Sequence, residues 1–132
     1  MEVSFDPSRA SVALQDGIFP AGCPSRTVLD HITSKWGVLV LLALSERAHR
    51  WSELRRRADG ISEKMLAQTL KTLEQDGLVH RESQPVIPPR VDYSLTPLGT
   101  EAASLLVPLA TWAFDNAERI VGQRADQPPS MV

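Results

Sequence analysis

A mainly α-helical chain closed by one small antiparallel β-hairpin is the fold class predicted here, and three observations predict it. Apolar residues recur at helical spacing over successive stretches between Val28 and Phe114. A short helix is followed across the tight Asp59-Gly60 connection by an amphipathic helix opening at Ile61-Ser62. Two short extended runs, Leu78 to Ser83 and Val91 to Leu95, then enclose a loop stiffened by Pro85, Pro88 and Pro89. Two helices joined by a tight turn and followed by a hairpin are the parts of a winged helix-turn-helix. That geometry offers one helix to a DNA major groove and sets a loop beside it.

The 132 residues suffice for one domain with a single core. No apolar run approaches the ~20 residues that span a bilayer. Met1 to Pro20 lacks the basic-then-apolar order of a signal peptide, so a cytoplasmic location without membrane contact is expected. One cysteine, Cys23, cannot close an internal disulfide. The formal charge of −2 argues against binding nucleic acid by bulk charge alone. Its distribution is uneven, with nine cations against six acids between Arg47 and Arg90, so that the remaining residues carry −5. A basic centre with acidic flanks suits a protein that presents one surface to DNA, and equally a solvated face of mixed charge.

Residues 1–22 show no sustained periodicity and carry Pro7, Gly17, Pro20 and Gly22, which predicts a loosely held arm. Ser25 is placed to cap a short helix through Ser34, with Val28, Leu29 and Ile32 at helical spacing. A second helix, Lys35 to Arg47, is apolar nearly all round and should lie at the centre of the domain. Gly37 should weaken it by roughly 0.5 to 1 kcal/mol, which packing can offset. Trp51 is expected in a brief extended piece. Ser52 then caps a helix through Ala58, with Leu54 inward and Arg55, Arg56 and Arg57 outward.

The helix from Ser62 to about Asp76-Gly77 should bury Met65, Leu66, Leu70 and Leu73. Its opposite face carries Lys64, Gln68, Lys71 and Gln75 at i, i+4, i+7 and i+11. Gln can pair with adenine and Lys with guanine, while Ser62 can present a hydroxyl and backbone donors to phosphate. Arg81 and Arg90 at the base of the proline loop are further phosphate candidates. Thr96 caps and Pro97 opens a last helical region, which Pro108 should kink or split. Its Leu105, Leu109 and Trp112 exceed what a compact core needs. With Val28, Leu29 and Ile32 they predict a homodimer made through the terminal helices.

Cys23-Pro24, Lys35-Trp36, Trp51-Ser52-Glu53-Leu54, Ile61-Ser62-Glu63-Lys64-Met65-Leu66, Leu73-Glu74-Gln75-Asp76-Gly77-Leu78-Val79 and Pro88-Pro89-Arg90-Val91-Asp92-Tyr93-Ser94-Leu95-Thr96-Pro97-Leu98-Gly99 occur in this order. In these stretches the chain resembles the HxlR family of bacterial transcription regulators, a branch of the MarR-like winged-helix proteins. The likeness runs from Cys23 to about Trp112, and the domain is expected over residues 23–123 with a disordered tail over 124–132. The resemblance implies a dimeric DNA-binding regulator of nearby genes. It also implies a sensor of oxidants or electrophiles at Cys23, where the start of a helix favours the thiolate and Arg26 is near in sequence. Without a second cysteine, an intersubunit disulfide, a mixed disulfide or electrophile addition are the chemically open outcomes.

The remaining residues assemble no reactive centre. His31, His49 and His80 are scattered, no zinc-ligand spacing, phosphate loop or nucleophile elbow occurs, and neither a cofactor nor catalysis is expected. The reading is therefore a sequence-specific repressor of double-stranded DNA at an inverted repeat. Two others stay open: a regulator switched by a small molecule bound noncovalently between subunits, and a winged helix that binds protein instead of DNA.

Overall fold

The computed structural model describes residues 19–125. Five helices and three strands follow in the order α1 (Pro24–Thr33), α2 (Lys35–Glu46), β1 (His49–Arg50), α3 (Trp51–Arg57), α4 (Glu63–Gln75), β2 (Val79–Gln84), β3 (Arg90–Leu95) and α5 (Pro97–Ala125). Most of the expected arm, and the expected tail beyond Ala125, fall outside the described residues. No single helix among them is long and apolar enough to cross a membrane.

The core is built where α2, α4 and the sheet converge. Val40 and Leu41 of α2, Leu54 of α3, and Leu66 and Leu73 of α4 lose essentially all solvent contact. Each such side chain contributes roughly 1.5 to 3 kcal/mol of transfer free energy. Trp36, Val38 and Leu39 pack on this cluster from its margin, as a central helix with apolar residues on most sides requires. Met65 departs from expectation and is exposed, because α4 turns only the Leu66, Leu70 and Leu73 edge inward.

Helix boundaries are set by whichever donor or acceptor reaches the free backbone groups first. Cys23, not Ser25, precedes α1, with Pro24 as the first helical residue. Ser34 leaves α1 and caps α2 instead, its hydroxyl accepting the Gly37 N–H at 3.1 Å, and the two helices meet at a 70° bend. Gly37 is required by this bend, since a Cβ there would lie 2.4 Å from the His31 carbonyl oxygen. Helix α3 starts at Trp51, two residues earlier than a Ser52 cap would place it. The Glu53 carboxylate takes the Arg50 N–H at 3.0 Å and thereby fixes that start. The extended piece is His49–Arg50, and it adds a third strand to the hairpin.

The sheet order is β1-β3-β2, antiparallel throughout, with His49 opposite Tyr93 and Tyr93 opposite Arg81. Tyr93 is buried, and Val91 and Leu95 flank it on the core side as the alternation predicts. Helix α5 continues unbroken through Pro108 and past the expected boundary at residue 123. Its Ala103 and Leu106 are buried, whereas Leu105, Leu109, Trp112, Phe114 and Val121 face outward.

One junction joins these parts. The Thr96 N–H donates to the Leu78 carbonyl at 3.1 Å, its hydroxyl donates to the Gly77 carbonyl at 2.6 Å, and its Oγ1 accepts the Gly99 N–H at 3.0 Å. Gly99 lies against the same turn, and an added Cβ would come 2.0 Å from the Leu78 carbonyl oxygen. The Cβ would be fixed by the backbone that bears it and the oxygen is itself backbone, so neither can swing away. Gly99→Ala is expected to destabilise the fold by about 2 kcal/mol or more, read as a lowered urea midpoint.

Candidate nucleic-acid interface

Helix α4 begins at Ser62, whose hydroxyl oxygen accepts the Met65 N–H at 3.1 Å. That bond occupies the oxygen but leaves the hydroxyl proton and the first-turn backbone donors facing out. With its leucine edge held by the core, the helix exposes Lys64, Gln68, Lys71 and Gln75 along one stripe. Among the described residues neither Lys64 nor Lys71 enters an ion pair. Gln68 also borders a shallow groove in which Met65, Thr69 and Thr72 face Asp30 and Ser34 of the α1 region.

The three arginines of α3 all point outward, yet they are not equivalent. Arg55 pairs with Glu63 at the start of α4 at 3.1 Å, and Arg57 pairs with Glu46 at the end of α2. Arg56 makes no ion pair among the described residues. The first two hold α3 against its neighbours, and the third is the most available cation of the cluster.

The wing divides its cations as well. Because Arg81 stands opposite Tyr93 and Arg90 opposite Gln84, the two arginines project from opposite faces of the hairpin. Arg81 stays exposed at the edge strand, where its guanidinium donates to the Ser83 hydroxyl at 3.5 Å. Arg90 shares its face with Asp92, which takes its Nε–H at 2.9 Å, and with Arg50 across the β1-β3 ladder. Arg50 was not among the residues singled out from sequence. A two-residue strand shows no periodicity, so nothing local marked it as a partner of the wing.

Cys23 sits half-buried at the start of α1. Its thiol pKa is lowered from the ordinary value, chiefly by the nearby Ser25 backbone N–H and then by the Ser25 hydroxyl. Partial desolvation opposes this, and the Arg26 N–H adds to it. Arg26 therefore acts through its backbone and not its guanidinium. Further along α1, His31 Nδ1–H donates to Asp76 Oδ2 at 2.6 Å, tying the helix that begins at Cys23 to the residue closing α4. These partners are 45 positions apart, and no local pattern announces them.

Of the expected interface residues, Val28 and Leu29 on α1 and Leu105, Leu109 and Trp112 on α5 are exposed. Ile32 instead packs against the core from its edge, completing the seam between α1 and α2. No cluster of three or more metal-ligating side chains occurs among the described residues.

An outward polar stripe on a capped helix, a tight turn from the preceding helix, and a three-stranded wing define a winged helix-turn-helix. Residues 31–121 match the model of the HxlR-like helix-turn-helix family, and the chain belongs to that family. It is 50% identical over 118 residues to the helix-turn-helix-type transcriptional regulator YtfH of Escherichia coli strain K12, covering 89% of this chain and 94% of that one. A solved structure of the transcriptional regulator YtfH from Salmonella typhimurium superposes with a TM-score of 0.77 at 52% identity, over 83% of this chain and 97% of its own. The redox regulator HypR in its oxidised form aligns with a TM-score of 0.66 at 35% identity, over 71% and 97%. The chain is a transcriptional regulator of helix-turn-helix type and not an enzyme.

Glu53 is the most strongly perturbed acid of this surface. The Arg50 N–H first, and then the Arg47 guanidinium at 2.9 Å, lower it from 4.5 to about 2. The unfolded chain therefore takes up this proton before the folded one does. The stabilisation is complete above the ordinary value of 4.5 and is lost as pH falls toward about 2. Denaturant melts in that window should show Glu53→Gln with a flatter acid dependence than wild type.

Proposed function

We propose that this regulator binds double-stranded DNA sequence-specifically as a homodimer, and that it acts as a repressor. The single observation that carries the reading is the α4 stripe. Lys64, Gln68 and Lys71 are exposed together on a helix capped by Ser62 and seated on the core through its other edge. Such side chains can enter a major groove without uncovering any apolar surface. Gln68 suits bidentate pairing with adenine and the two lysines suit guanine, each good pair contributing about 1 to 3 kcal/mol of discrimination. Arg56 and Arg81, without ion pairs among the described residues, are the phosphate contacts favoured by the geometry, with Arg90 contributing through the terminal nitrogens that its Nε pair with Asp92 leaves free, and Arg55 and Arg57 after their internal partners are displaced. A dimer at an inverted repeat would obstruct polymerase without any further contact.

Dimerisation is supported by the apolar side chains on α5 that stay exposed among the described residues, together with Val28 and Leu29 of α1. Two stripes related by a twofold axis would then meet half-sites about one helical turn apart. The operator can be selected from random duplexes. Gln68→Ala is expected to relax preference at its base position, while Arg56→Ala should weaken binding to every sequence and reduce the salt slope by about one. Equal losses on selected and random duplexes for both variants would refute the division of roles.

Cys23 is the proposed sensor. Three features support it: a thiol lowered by the start of α1, the α1 to α4 tie through His31 and Asp76, and the likeness to the redox regulator HypR. Modification at Cys23 would disturb the start of a helix whose far end holds α4, and so change how the stripe is presented. An intersubunit disulfide, a mixed disulfide and electrophile addition each remain chemically open. Light scattering at micromolar concentration should give the mass of two chains for wild type and for Cys23→Ser. Diamide or a quinone should change duplex binding in wild type alone. A reversible response to a metabolite shared by both proteins would favour the noncovalent ligand instead.

A further inference from the structure

The loop between β2 and β3 carries no charged side chain from Pro85 to Pro89, yet it stands out from the domain. Ile87 at its tip is fully exposed and Val86 half-exposed, in a segment stiffened by prolines on both sides. A lone surface isoleucine is ordinary. One at the tip of a proline-stiffened loop, with two cations on the sheet face at its base, is a less ordinary combination.

The cations are Arg50 and Arg90. They share one face of the sheet, because Arg50 pairs across β1-β3 with Asp92 and Arg90 lies two residues before Asp92 on the same strand. Their internal ion pairs use only Nε, with Glu53 at 3.7 Å and Asp92 at 2.9 Å, so the terminal nitrogens of both guanidiniums remain available. Arg50, Trp51 and Ser52 form one wall of a cleft whose other wall is Val86, Ile87 and Arg90. Trp51 and Ser52 also line a second hollow that runs past Arg56 to Glu63 at the start of α4. The apolar tip, the two guanidiniums and the end of α4 that leads into the polar stripe therefore border one continuous surface.

We infer that the wing is an apolar wedge for DNA, with Ile87 pressed into the minor groove against a partly unstacked base step while Arg50 and Arg90, side by side on one face of the sheet, hold phosphates of one strand next to it. The inference rests on the DNA-binding reading above and adds the manner of contact. A tip without cations or hydrogen-bonding side chains cannot read base edges, but it can replace stacking area lost when a step opens. Flexible pyrimidine–purine steps open at least cost, so the wedge would favour them and bend the duplex toward the major groove. Continuity with the α4 stripe selects the occupant, because the tip, the Arg50 and Arg90 guanidiniums and the start of α4 border adjoining hollows that share Trp51 and Ser52.

The test uses the full chain and duplexes that wild type selects from a random pool, labelled with 2-aminopurine at successive positions. Wild type should raise the fluorescence at one step beside each half-site. Ile87→Ala should abolish that rise and weaken binding about tenfold, whereas Ile87→Leu should keep both. Arg50→Ala should keep the rise and lower the salt slope by about one. Selected duplexes bound by Ile87→Ala with an undiminished rise overturn the wedge while leaving DNA binding intact. A wild type that selects no duplex overturns both readings. An unchanged rise combined with lost self-association in Ile87→Ala would assign the tip to a protein contact and refute the proposal.

Discussion

The Thr96 junction is the constraint on which the arrangement of parts depends. One side chain and four backbone groups, in three hydrogen bonds, bind the turn after α4, the start of β2 and the first turn of α5 into a single unit. Gly99 permits α5 to come close enough for this, and Gly77 enters the turn with φ +77. Helix α4 carries the outward polar stripe, and α5 carries the uncovered apolar side chains. Their mutual orientation is therefore set by short hydrogen bonds within a few residues, not by diffuse packing that could slide. Any assembly formed through α5 inherits a defined direction for α4.

Electrostatics of the surface follow a similar economy. The chain is slightly acidic as a whole, so long-range attraction to a polyanion is weak. What it offers is local. Arg47, Arg55 and Arg57 are committed to carboxylates that brace α2, α3 and α4 against one another, while Lys64, Lys71, Arg56 and Arg81 make no ion pairs among the described residues. Exposed pairs of the first kind are worth only about 0 to 1 kcal/mol each, so they are poor sources of stability. Their effect is to fix side-chain directions, while the other cations stay exposed. Glu53 is central to this division, since it holds both the Arg47 guanidinium and the Arg50 backbone.

The legible part of the fold lay in patterns shorter than about two helical turns. The α4 stripe, the Ser62 cap, the Asp59-Gly60 turn and the alternation of β3 all come from neighbours a few residues apart. Met65 shows where such reasoning fails, because its position on the helix is compatible with burial, and only the way α4 seats its Leu66, Leu70 and Leu73 edge on the core decides that it stays outside. Ser25 and Ser52 show another limit. Both are good capping residues, but Pro24 already supplies a helical first residue, and Glu53 reaches back to Arg50 before Ser52 can act. The wing arginines were both expected at phosphate, and strand pairing sends them to opposite faces.

By itself, then, the sequence determined which segments are helical or extended, which stripe of α4 is polar, and that the chain would join a helix-turn-helix to a wing, since periodicity, turns and caps are local properties of the backbone. Only the tertiary structure decided which cations are spent internally, that His49-Arg50 becomes a third strand bringing Arg50 beside the wing, and that His31 grips Asp76. Those facts depend on distances between residues far apart in the chain, and such distances exist only once the core has closed.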